Sequence, residues 1–86
     1  MIQVIDGKRY NTETAIRIAY SQHANGSVNL YKTIRKNFFL AYMMIENKEL
    51  DLIEPISFKQ AMFYYHQLNL HLVAIAETFG FEPEDA

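Results

Sequence analysis

The 86-residue chain contains no cysteine, so disulfides and thiolate metal ligands are excluded. Its three glycines, Gly7, Gly26 and Gly80, lie too far apart to form a loop that cradles phosphate. No stretch approaches the roughly 20 consecutive apolar residues that a membrane-spanning helix needs. The start is polar by Gln3 and Asp6, which is no signal-peptide pattern, and a cytoplasmic protein is expected. No sign of charge prevails strongly: the net charge is −2 and the isoelectric point about 5.8. A domain of this size buries only about 60–65% of its unfolded surface, so without disulfides or metals it is marginal alone.

Apolar and aromatic material is plentiful by contrast. Half of the residues are hydrophobic, with six tyrosines and six phenylalanines, enough for a core and an interface. Charge is unevenly placed. Residues 1–45 carry six basic residues (Lys8, Arg9, Arg17, Lys32, Arg35, Lys36) against Asp6 and Glu13. Residues 46–86 carry Lys48 and Lys59 against eight acidic residues. Such asymmetry marks a binding surface or mutual attraction between the halves.

The local signals give an α+β fold, a small antiparallel sheet of three to five strands with one C-terminal amphipathic helix packed on one face. Asp6-Gly7 supplies the positive-φ residue that a tight hairpin needs between Val4-Ile5 and Arg9-Tyr10. Asn11-Thr12-Glu13-Thr14 reads as a second, side-chain-capped turn. Residues 15–21 alternate as a half-buried strand, Ile16, Ile18 and Tyr20 against Arg17, Ala19 and Ser21. After a loop at 23–27, residues 28–35 alternate again, with Val28, Leu30 and Ile34 on one face. Lys36-Asn37 turns the chain, with Asn37 as the residue tolerant of left-handed φ. Phe38 to Ile45 is apolar on both faces, the mark of a strand covered on both sides. Leu50 to Glu54 reads as a short edge strand. Ser57 and Gln60 form a capping box after Pro55, and Gly80 is a C-terminal stop. Between them Phe58, Ala61, Tyr65, Leu68, Leu72, Ile75 and Phe79 step by three and four, which predicts one helix, with Asn69 as the place for any kink. The whole is one domain, 1–86: a β-rich region at 1–56, a helix at 57–80 and a tail at 81–86.

The run Ile5-Asp6-Gly7-Lys8-Arg9-Tyr10-Asn11-Thr12-Glu13-Thr14-Ala15 resembles the opening of small proteins from phages, plasmids and conjugative elements of low-GC Gram-positive bacteria. Leu30-Tyr31-Lys32-Thr33 with Phe38-Phe39-Leu40 is similar to the central hairpin of that family. Pro55-Ile56-Ser57, Gln60-Ala61 and Phe79-Gly80 are similar to its closing helical segment. One departure is clear: Ala41-Tyr42-Met43-Met44-Ile45 is apolar where the family has a glycine-rich, polar stretch. The resemblance implies a non-enzymatic interaction protein in a bacterial host cell. Some proteins of this kind sit among anti-CRISPR genes, and from that neighbourhood an anti-CRISPR inhibitor of an RNA-guided type II nuclease or its guide complex is the expected function.

No catalytic constellation is present. Ser21, Ser27 and Ser57 have no His and acid at helpful spacing. His66 and His71 are five apart and leave a helix in different directions, and His23 has no partner, so no metal site and no cofactor are expected. Two binding surfaces remain. Phe63, Leu70 and Val73 lie away from the helical stripe beside Tyr64 and His66, and a solvated helix would carry charge there. With the acidic run Glu46, Glu49, Asp51 and Glu54 they form the expected protein interface, and a homodimer through Phe63, Leu70 and Val73 is expected. The alternative is a DNA- or RNA-binding regulator using Arg17, Tyr31, Lys32, Arg35 and Lys36 on a basic sheet face.

Overall fold

A computed structural model describes residues 1–81. The tail expected at 81–86 therefore lies outside the described residues beyond Phe81. The architecture is α+β: a five-stranded antiparallel sheet, a separate two-stranded hairpin on one of its faces, and two helices on the other.

The hairpin pairs β1 (Ile2–Ile5) with β2 (Lys8–Asn11), with Ile5 opposite Lys8. Asp6 and Gly7 both hold positive φ, 51° and 78°, as a two-residue turn of this twist demands. The Asn11 turn also forms: Asn11 Oδ1 accepts from the Glu13 amide at 2.9 Å. The sheet order is β6-β5-β4-β3-β7, built from β3 (Ile16–His23), β4 (Gly26–Lys32), β5 (Phe38–Met44), β6 (Leu52–Ile56) and β7 (Leu70–His71). Helix α1 (Phe58–Gln67) precedes β7, and α2 (Ile75–Phe79) follows it.

β5 is buried from both sides, as its doubly apolar sequence requires. Phe38 and Leu40 join Leu30, Ile18, Ala61, Tyr65, Leu68 and Phe79 in the core under the helices. Phe39 and Ala41 join Tyr10, Tyr31 and Ile53 in a second core under the hairpin. There Tyr31 stacks on Phe39, with centroids 5.1 Å apart, and Tyr10 meets Phe39 edge-on at 5.5 Å.

Four sequence readings change. A β-bulge between Arg17 and Ala19 breaks the alternation of β3, so Ile18 and Ala19 are both buried and Tyr20 joins Arg17 on the opposite face. The β4–β5 turn puts Lys36, not Asn37, at positive φ (66°) and leaves Ile34 exposed. The edge strand begins two residues later than its sequence suggests, at Leu52, after a 3-10 turn at Lys48–Leu50. The single helix over 57–80 is not formed.

The helix starts as expected, with both bonds of the Ser57–Gln60 capping box in place. It stops at Gln67 because Leu68 turns extended and the free edge of β3 captures the chain that follows. Ser21 Oγ accepts from the Asn69 amide at 2.9 Å. The Ile18 carbonyl at the bulge accepts from Leu72 and Val73, at 2.8 and 3.3 Å. Ala19 pairs with His71 and Tyr20 with Leu70. Gly80, at φ 80°, ends α2. Of the predicted stripe, Ala61, Tyr65, Leu68 and Phe79 are buried, whereas Phe58 and Leu72 are about half exposed.

Two substitutions test this backbone in opposite directions. A Cβ on Gly26 would collide with the Met43 carbonyl oxygen, so Gly26→Ala is expected to destabilise by about 2 kcal/mol or more. Lys36→Gly relieves a left-handed backbone and is expected to stabilise by about 1 kcal/mol. Urea denaturation of both variants against the parent gives the two signs directly.

Candidate binding surfaces

Three of the expected interface residues do not share a surface. α1 lies on the face of Leu30 and Leu40. Ala19 pairs with Leu30 and with His71, so these three share that face, and the His71 ring stacks on Tyr65 at 4.2 Å. Its Nε2 lies 2.6 Å from the Tyr65 carbonyl oxygen, so that nitrogen carries the proton. Leu70 is one residue away in β7 and opposite Tyr20, so it projects to the other face of the sheet. Val73 is half-buried against the core, and its carbonyl accepts from Tyr65 Oη at 2.9 Å. Phe63 remains exposed on α1, with His66 exposed one turn further on. The homodimer contact read from a continuous helix is thus divided, because that helix ends before Leu70.

What the structure does bring together is an aromatic surface with an acidic border. Phe63 and Tyr64 meet edge-on at 5.4 Å, beside Ser57, Lys59 and Gln60. Tyr64 and, from β5, Tyr42 are half-buried against the core. The Tyr42 phenol is held above its ordinary value by burial, then by the Glu54 carboxylate of β6 and by Tyr64. Leu52, opposite Tyr42, is half exposed. Glu46 and Glu49 are exposed in the preceding loop. Asp51 is committed locally: its Oδ1 accepts from the Met44 amide at 2.6 Å. Sequence reasoning found Phe63, Tyr64 and Glu54 but missed Tyr42, which looked like a core position of a two-faced apolar strand.

The expected basic sheet face disperses. Tyr31 is 7% exposed and stacked on Phe39, so it offers no ring to a base. Burial raises its phenol, an effect partly offset by the Arg17 guanidinium. Lys32 faces the helices, where its Nζ donates to the Thr78 carbonyl at the end of α2 at 2.6 Å. Arg17 lies over the Tyr20 ring at 4.3 Å and reaches Asn29 Oδ1 at 3.4 Å. Arg35 and Lys36 are exposed in the β4–β5 turn. That turn faces the first hairpin across an open cleft of about 580 Å³, lined by Lys8, Arg9, Asn11, Thr14, Thr33, Arg35 and Asn37 among others. Lys8 and Arg9 were not singled out for binding by the sequence, because only the fold sets them against Arg35.

Among the described residues no group of three metal-ligating side chains comes together, and no helix is long and apolar enough to cross a membrane. In comparison with known proteins, no family model matches the chain, and neither a curated protein nor a solved structure does.

A raised tyrosine pKa means that the fold favours the neutral phenol. The stability so contributed is complete below the ordinary value of 10.0 and is lost as pH rises through the higher folded value. Stability is therefore expected to fall above about pH 10. Glu54→Gln is expected to move the Tyr42 titration downward and to leave Tyr31 unchanged, which a nuclear magnetic resonance titration of the two rings resolves.

Proposed function

We propose that this protein is a non-enzymatic binding protein of a mobile genetic element, and that its partner is the RNA-guided nuclease of a type II CRISPR system. The resemblance of the Ile5–Ala15 run supplies the class of target. The observation that carries the site is the surface of Tyr42, Phe63 and Tyr64 bordered by Glu54. Exposed aromatic rings anchor interfaces when a partner pocket desolvates them. The Glu54 carboxylate beside them suits the positively charged channel in which such nucleases hold nucleic acid. The partner meets side chains rather than a strand edge. The outward edge of β6 offers Ile53, whose amide donates to Gln3 Oε1 at 3.2 Å, and Pro55, which has no N–H.

Target cleavage by guide-loaded type II nuclease, with purified protein added, tests this reading. Inhibition at a small molar excess is expected. Phe63→Ala is expected to weaken inhibition by about 30-fold, the size of a hot-spot loss, while the fold is kept because Phe63 is exposed. Unchanged cleavage and guide loading at large excess would overturn the target, and equal inhibition by Phe63→Ala and the parent would overturn the site.

A further inference from the structure

The cleft between the two turns is built from segments far apart in sequence, residues 7–14 and 33–37. Three cations line it, Lys8, Arg9 and Arg35, together with the hydroxyls of Thr14 and Thr33 and the amides of Asn11 and Asn37. Among the described residues no carboxylate lines it, although Asp6 and Glu13 are neighbours of its walls in the chain. Asn11 Oδ1 is taken by the Glu13 amide, which leaves Nδ2 as its available donor. The far wall is held rigidly: Thr33 N–H donates to the Asn37 carbonyl at 2.8 Å, Lys36 N–H to the Thr33 carbonyl at 2.9 Å, and Asn37 N–H to Thr33 Oγ1 at 3.0 Å. Lys36 is kept there in a left-handed conformation that Gly or Asn adopts more readily. Strain retained at one residue beside a concentration of cations is the pattern of a site shaped for binding rather than for stability.

We infer that this cleft binds closely spaced phosphate groups, as found along a nucleic-acid strand or in a free polyphosphate. Cations and neutral donors converging without a carboxylate suit phosphate oxygens. The one aromatic ring in the lining among the described residues, Tyr10, is 6% exposed and fixed edge-on against Phe39. It cannot stack a base, so the cleft recognises phosphate and not sequence. This site differs from the basic sheet face expected from sequence, since Tyr31 and Lys32 play no part. It shares no lining residue with the Phe63 surface, so the failure of either reading leaves the other standing.

Fluorescence anisotropy with labelled oligothymidylate and oligoadenylate, at low and moderate salt, tests the inference on the full chain. Both strands are expected to bind alike. Three neutralised phosphates on a single strand give a salt slope of about −2, hence a loss of about 15–20-fold between 50 and 200 mM salt. Lys8→Gln and Arg35→Gln, both at exposed positions, are each expected to lower that slope by about 0.7 and to bind several-fold more weakly. Lys48→Gln, which makes the same change of charge away from the cleft, is expected to bind as the parent does. Competition separates the two sources of phosphate. Displacement by tripolyphosphate at lower phosphate concentration than by unlabelled strand assigns the cleft to free polyphosphate, and the reverse assigns it to a strand. No binding of either probe at low salt overturns the inference. So does a loss in Lys48→Gln equal to that in Arg35→Gln, because general charge attraction would then explain the binding.

Discussion

Phe38 and Phe39 are adjacent in a strand and so point to opposite faces of the sheet. Both are almost fully buried, which requires a cover on each side of β5. Burying a phenylalanine side chain contributes about 1.5–3 kcal/mol, so leaving either ring in water would remove a large part of a small domain's stability. The helices provide one cover, through Phe79 and Phe58 packed around Phe38. The β1–β2 hairpin provides the other, through Tyr10 against Phe39. A three-layer arrangement in so short a chain follows from this one dipeptide.

The second constraint is the pair of sheet edges. At β6 the edge is closed by one glutamine side chain and one proline. At β3 a whole segment closes it, since residues 69–73 hydrogen-bond along the strand and the bulge carbonyl of Ile18 receives two amides. The same event ends α1 and turns Leu70 away from Phe63. At β6 and β3 the backbone amides are thus engaged, so recognition there falls to side chains and turns rather than to free strand backbone.

Charge is divided along the same lines. Lys32 is drawn to the carbonyl end of α2, whereas Lys8, Arg9 and Arg35 line the cleft at the turns. Glu54 lies on β6 beside the aromatic surface, and Glu46 and Glu49 are exposed in the loop before that strand.

Features written in a few neighbouring residues were legible in the sequence. Asp6-Gly7 fixed its turn through positive φ, Ser57 and Gln60 fixed a helix start through reciprocal hydrogen bonds, and Phe38 to Ile45 declared a strand covered on both sides, which forms over Phe38–Met44. The sheet-and-helix class followed from these. The end of α1 was not legible, because the 3.6-residue period continues through Leu72, Ile75 and Phe79. Hydrogen bonds to Ser21 and Ile18, about fifty residues earlier in the chain, override that period. Nor could period alone locate the bulge, since an extra residue in β3 changes no composition. The candidate sites were legible only in part: Phe63, Tyr64 and Glu54 carried a signal, while Tyr42 and the setting of Lys8 and Arg9 against Arg35 did not. Local hydrogen bonding and hydrophobic periodicity act within a turn or two of chain and are therefore determined by sequence. Which strand edge captures a passing segment, and which cations face one another, depend on distances that exist only once the layers have packed.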